Sequence, residues 1–265
     1  MKLVQSRDNP LFKQLLKLTA SARRRNEAGQ TLLDGVHLLR DYLDSGKQPQ
    51  QVLLNAAALV NAEIATLLAR LSDSVPIQLD GKLFAELSEL KTPSGILALI
   101  AIPQADSPLP TSHFALLLED IQDPGNLGSM LRSAAAAGCD AVFLSPGCAD
   151  VWSPKVLRAA MGGHFALRIY EHEDLPGIAT AFRGTLLAAS LQTTHSLYDC
   201  DLRGNIAFMV GNEGAGLSAE LLACATRQVA IPMPGRVESL NAAAATAVCL
   251  FEAVRQRTGK LTQVL

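Results

Sequence analysis

From Ala207 to Phe251 the chain runs AFMVGNEGAGLSAELLACATRQVAIPMPGRVESLNAAAATAVCLF, and this stretch decides the fold class. Two apolar runs, Ile206 to Val210 and Gln228 to Met233, break off at Gly or Pro, as buried strands do. Each opens into a short loop, Gly211-Asn212-Glu213-Gly214-Ala215-Gly216 and then Pro232-Met233-Pro234-Gly235. Ser239 is placed to cap a long alanine-rich helix beginning near Leu240. Loops at strand ends frame a ligand crevice, because open α/β sheets bind ligands there. Gly211, Gly214 and Gly216 serve equally well as turn residues with positive φ.

Upstream, the pattern keeps alternating. Strands are expected at 114–118, 141–144, 166–169 and 185–189, with helices at 126–137, 154–161 and 174–183 between them. The strands are apolar on both faces, which predicts a parallel sheet covered on both sides. Residues 31 to 102 carry a second alternation: strands at 31–33, 51–54, 75–79 and 95–102, helices at 37–44, 56–71 and 82–90. That describes a small α/β sandwich. Between the two, Pro103, Pro108 and Pro110 among small polar residues mark a linker at 103–112. The expected organisation is therefore a domain at 1–102 and another at 113–265.

A chain of 265 residues with 49% hydrophobic residues has material for two cores. Its apolar runs fall far short of a bilayer span, and the N-terminus has no signal-peptide core, so a cytoplasmic protein is expected. Five scattered cysteines and five scattered histidines form no metal-ligand spacing; reduced thiols and no metal are expected. Net charge is only −2, yet residues 1–30 hold a local +5 and the remainder −7. A basic end on an acidic chain suits a phosphate-bearing partner, or else a solvated helix face. Asn9-Pro10 starts a helix with Leu11, Leu15 and Leu18 on one face and Lys13 and Lys17 beside it. Arg7, Asn9, Lys13 and the run Arg23-Arg24-Arg25 make up the candidate basic ridge, facing solvent or RNA.

In Glu119-Asp120-Ile121-Gln122-Asp123-Pro124-Gly125-Asn126, the last four residues form a turn and Asn126 is a natural cap for the next helix. Arg132 follows six residues on. It either pairs with Glu119 or Asp123, or offers its planar fork to phosphate or ribose. The spacing of Gly211, Gly214 and Gly216 does not fit a dinucleotide fingerprint, and no P-loop lysine motif exists.

Three ordered segments, N126LGSMLR132, G211NEGAGL217 and I231PMPG235 with S239LN241, resemble motifs one to three of the SpoU (TrmH-like) RNA ribose 2′-O-methyltransferases of the SPOUT superfamily. The opening S6RDNPLFK13 and Thr92-Pro93-Ser94-Gly95 resemble the RNA-binding module, similar to a small ribosomal protein, that precedes the catalytic domain in many members. The resemblance implies a parallel-sheet domain with a deep trefoil knot, S-adenosyl-L-methionine as cofactor, and a homodimer through the knotted domain. It implies cofactor contacts at Leu191, Gly211, Asn212, Gly214, Ile231, Met233 and Leu240. It implies a catalytic cluster of Asn126, Arg132, Glu213, Ser239 and Asn241, in which the family casts Arg132 as the base. Because an arginine pKa exceeds ~12, a charged Arg132 steadying the alkoxide or a phosphate is the easier physical account, and both roles stay open. Asn126 and Ser239 are also good helix caps. Ribosomal RNA is the expected substrate; the alternatives are tRNA, or a non-catalytic RNA-binding protein that keeps the fold. Ala242-Ala243-Ala244-Ala245 departs from the family's valine and serine pattern after Asn241.

Overall fold

The computed structural model describes residues 1–72, 75–90, 92–104 and 113–259. The expected linker at 103–112 lies outside the described residues from 105 onward. The chain divides into two compact units, Met1–Gln104 with Trp152–Phe165, and Ala105–Val151 with Ala166–Leu265.

The first unit contains β1 (Lys2–Val4), α1 (Pro10–Ala20), α2 (Ala22–Ala28), β2 (Gln30–Asp34), α3 (Val36–Asp44), β3 (Gln51–Leu54), α4 (Ala62–Leu68), β4 (Ile77–Leu79), α5 (Gly81–Leu87) and β5 (Ile96–Ala101). The strands form a mixed sheet in the order β1-β4-β3-β5-β2. Asn9 caps α1 by accepting from the Leu11 and Phe12 amides at 3.0 and 3.3 Å, and Pro10 occupies the first turn, where no amide is needed. Phe12, Leu15 and Leu18 of α1 are buried against the sheet. Each such side chain contributes about 1.5–3 kcal/mol relative to leaving it exposed.

Three details differ from the sequence expectation. The helix expected at 56–71 is a 3₁₀ turn at Ala56–Val60 followed by α4, because Asn61 accepts from the Glu63 and Ile64 amides and restarts the helix. Strand β1 and helix α2 were not expected; both are too short to show periodicity. Arg25 of α2 is not part of an RNA-facing ridge. It is only 4% exposed and donates to the Leu18 and Thr19 carbonyls, satisfying the last turn of α1.

The second unit begins with β6 (Phe114–Leu118), α6 (Pro124–Ala137) and β7 (Ala141–Leu144). Helix α7 (Pro154–Ala160) then belongs to the first unit, although the strand–helix alternation assigns it to the second. There α7 packs on β2, and the buried Thr31 hydroxyl donates to the Trp152 carbonyl at 2.8 Å. Alternation is a local signal and does not say which sheet a helix covers. The chain returns with β8 (Arg168–Tyr170), α8 (Leu175–Ala181), β9 (Thr185–Ala189), β10 (Ile206–Val210), α9 (Ala219–Ala223), β11 (Arg227–Val229) and α10 (Ala242–Arg257).

The six strands are all parallel, in the order β11-β9-β10-β6-β7-β8, which is the expected parallel sheet. β6 and β10 are buried along their whole length, consistent with their purely apolar sequences. β11 stops at Val229 rather than Met233: Ala230 pairs instead with the segment at Ser196, and Pro232 has no amide to carry a ladder further. α10 packs against α6 and is anchored at its far end. Gln256 bonds to the Cys200 carbonyl and the Leu202 amide, while Arg257 donates to the carbonyls of Leu202 and Gly204 and lies 4.2 Å over the Phe114 ring.

Candidate active site

The register of the parallel sheet brings Leu118, Val210, Ala189 and Val229 to one edge, where the strand-end loops emerge together. Among these loops lies a cavity of about 530 Å³. Its walls include all seven residues expected at a cofactor: Leu191, Gly211, Asn212, Gly214, Ile231, Met233 and Leu240. Ala242, Ala245 and Cys249, together with Leu217 and Val229, also line it and were not foreseen. The helical spacing of 242, 245 and 249 places those three on one face of α10, a signal available in the sequence. Burial pushes the Cys249 thiol up to about 12, so this wall stays uncharged at neutral pH.

The glycines of the loop after β10 have separate duties. Gly216 takes a φ of +72°, and its amide donates to the Asn212 carbonyl at 2.8 Å. At Gly211 a Cβ would overlap the Gly216 carbonyl, so the loop can double back only on a bare backbone. Asn212 shapes the turn between them. Its Oδ1 accepts from the amides of Gly214 (2.8 Å) and Ala215 (3.2 Å), and its Nδ2 donates to the Asp120 carbonyl (3.0 Å).

A polar cluster stands at the mouth of the cavity. Asn126 is not the cap of α6. That role falls to Asp123, whose Oδ1 accepts from the Asn126 amide at 2.7 Å, with Pro124 in the first turn. The Asn126 side chain is thereby left for other partners. Its Nδ2 donates to Glu213 Oε1, and its Oδ1 accepts from Asn241 Nδ2 at 3.0 Å. Nor does Ser239 cap the last helix. Asn241 does, accepting from the Ala243 and Ala244 amides at 2.9 and 3.3 Å. Ser239 lines the cavity with its hydroxyl bonded to no described residue.

Arg132 stands apart from this cluster. It is exposed on α6, does not line the cavity, and pairs with no described residue. Its two expected partners are engaged elsewhere: Glu119 accepts from the Ser218 amide at 2.7 Å, and Asp123 caps α6. Among the described residues no group of three or more His, Cys, Asp or Glu could hold a metal ion.

Residues 113–251, which run from the start of β6 into α10 and hold every member of the cluster, match the SpoU rRNA Methylase family. The chain belongs to that family. Residues 9–98 of this SpoU chain match the MRM3-like substrate binding domain. The chain is 38% identical over 260 residues to an uncharacterized tRNA/rRNA methyltransferase of Synechocystis, covering 96% of this chain and 94% of the relative. It is 31% identical to the 23S rRNA (guanosine(2553)-2′-O)-methyltransferase RlmP of Bacillus subtilis, covering 95% of this chain and 98% of that one. Its structure is similar to that of the SpoU methyltransferase AviRb from Streptomyces viridochromogenes in complex with AdoMet. The TM-score is 0.86 at 28% identity, covering 95% of this chain and 99% of that one.

Proposed function

We propose that this SpoU chain transfers a methyl group from S-adenosylmethionine to a ribose 2′-hydroxyl of ribosomal RNA. The observation that carries this reading is the Asn126 amide held between Glu213 and Asn241 beside the cavity of the glycine loop. The cavity volume of about 530 Å³ lies inside the usual range for cofactor sites, ~300–1,000 Å³. Leu191, Ile231, Met233 and Leu240 offer apolar walls, and the loop at Gly211 exposes backbone groups. Glu213 is the only charged side chain among the described lining residues, a setting that suits a cationic sulfonium.

When bound, S-adenosylmethionine supplies an electrophilic methyl group. The task of the protein is to hold a ribose oxygen in line, and such alignment contributes up to roughly 7–11 kcal/mol. Asn126 is fixed at both ends of its amide and does not need to reorganise. Ser239 and Asn241, on the exposed rim, orient the ribose. Arg132 has no carboxylate partner among the described residues, which supports a role for it in receiving a phosphate of the RNA.

Arg7, Lys13, Arg23 and Arg24 of the first unit remain in the proposed RNA face. Their partners are surface carboxylates, Glu86, Asp8 and Glu27, whose screened pairs contribute little and exchange for phosphate. The protein is proposed to act as a homodimer through the second unit, supported by exposed Tyr198, Val237, Leu240 and Phe251. The proposed trefoil knot is supported by β10 lying between β6 and β9 while α10 returns to α6. A cytoplasmic setting is supported by five free cysteines. Among the described residues no helix is long and apolar enough to cross a membrane.

The test is transfer of labelled methyl groups to ribosomal RNA and, separately, to tRNA from cells lacking the protein, by wild type and Arg132→Ala. Label in an alkali-resistant dinucleotide of ribosomal RNA, lost with the variant, supports the proposal. Label confined to tRNA moves the substrate, and cofactor binding without label in either pool favours a non-catalytic RNA-binding role.

A further inference from the structure

Asp120 is one of three described non-glycine residues with positive φ, here +55°, and it sits at the end of β6 where three loops meet. Aspartate tolerates the left-handed region better than most residues, but such a backbone persists only when its surroundings hold it. The loop after β7 does so from one side. The Asp120 amide donates to Ser145 Oγ at 2.9 Å, and Ser145 Oγ donates back to Asp120 Oδ1 at 2.7 Å. Gly147 closes over the carboxylate, leaving so little room that a Cβ there would overlap Asp120 Oδ1. The Ala149 amide bonds the Ile121 carbonyl at 2.8 Å, which fixes the next peptide as well.

On the other side, the turned backbone aims the Asp120 carbonyl at the Asn212 amide, 3.0 Å away. Asn212 in turn holds the Gly214 and Ala215 amides in the wall of the cavity. Asp120 does not line that cavity. We infer that Asp120 is a positioning residue: its left-handed backbone, held through its own amide by Ser145 and through the Ile121 carbonyl by Ala149, sets the shape of the Gly211–Gly216 loop and thereby the affinity for the cofactor. This rests on the reading of the cavity as the S-adenosylmethionine site. A loop whose competent shape is populated only in part binds its ligand more weakly by that fraction.

The inference separates the backbone of Asp120 from its carboxylate. Glycine adopts a φ of +55° freely, whereas alanine resists it. Asp120→Ala is expected to weaken S-adenosylmethionine binding, read by calorimetry, about tenfold, and Asp120→Gly to stay within about twofold of wild type. Hydrogen exchange of residues 212–216 in the ligand-free protein should speed up in Asp120→Ala and return to the wild-type rate in Asp120→Gly. Gly147→Ala supplies a second route, because it drives a methyl group into the Asp120 carboxylate. It should weaken binding as Asp120→Ala does, and the pair Gly147→Ala with Asp120→Gly should restore it by removing the atoms that clash. Equal losses in Asp120→Ala and Asp120→Gly would overturn the inference in favour of the carboxylate itself, and unchanged loop exchange in Asp120→Ala would overturn it outright. If wild type fails to bind S-adenosylmethionine, the reading of the cavity falls; the exchange pattern of the free protein still decides whether Asp120 sets the loop.

Discussion

Asn241 serves two functions through two different atoms, and one substitution separates them. Its Oδ1 caps α10, and its Nδ2 donates to Asn126. Asn241→Asp keeps an excellent cap, and its charge is favourable at a helix N-terminus. It places a second carboxylate against the Asn126 amide, opposite Glu213. If the amide keeps its orientation, its oxygen faces the introduced carboxylate; if it flips, its oxygen faces Glu213. In the first case the neutral bond from Asn241 gives way to repulsion, in the second the bond to Glu213 does, at a cost of about 1–3 kcal/mol. Methyl transfer should fall by roughly 10- to 100-fold in kcat as the Asn126 amide loses its single orientation, while the repulsion, offset in part by the charged cap, lowers denaturant stability by no more than about 2 kcal/mol. Asn241→Ala should lose both functions, with stability falling by about 1 kcal/mol from the cap. The assays are single-turnover methyl transfer, cofactor binding by calorimetry, and urea denaturation. Wild-type kcat in Asn241→Asp, or a loss that merely follows stability, would refute the role given to the Asn126 network.

Arg257→Ala removes bonds to the Leu202 and Gly204 carbonyls and the contact over Phe114, and should destabilise the second unit by about 2–4 kcal/mol in urea melts. Arg25→Ala should cost about 2–3 kcal/mol, since buried carbonyls of α1 lose their donor. It should leave the salt slope of RNA binding unchanged, whereas the pair Arg23→Ala and Arg24→Ala should lower that slope; the reverse pattern would reject both placements. Burial pushes the Asp34 carboxyl above its usual range despite opposing bonds from the Ser88 hydroxyl and the Glu89 backbone. A raised carboxyl pKa in the folded state penalises folding at neutral pH and is relieved as pH falls through the folded pKa. Asp34→Asn should accordingly gain more stability over wild type at pH 7 than at about pH 4, near the ordinary carboxyl value, and an equal gain at both would refute the assignment.

The sheet of the second unit was legible because its strands are continuous apolar runs that end at Gly, Pro or acidic residues. Ile206–Val210 and Phe114–Leu118 carry that signal without interruption, and their observed limits agree with it. The shorter elements were not legible. Arg227–Val229, at three residues, pairs where Leu187 to Ala189 dictate, a tertiary constraint that propensity does not record. The placement of α7 was hidden for a similar reason: what decides it is packing on β2 and the bond from Thr31.

For the candidate site, the sequence left capping and chemistry as alternatives at Asn126 and Ser239, and the structure shows why the choice cannot be made residue by residue. A helix start offers several amides and needs only one or two side-chain acceptors. At α6, Asp123 fills that need three residues before Asn126, which leaves Asn126 with both ends of its amide available. At α10, Asn241 caps with its oxygen and retains its nitrogen for Asn126, which leaves Ser239 uncommitted on the rim. Capping at one position thus determines what is available for chemistry at the next. The acidic residue three positions before Asn126 carries as much information about the site as Asn126 itself.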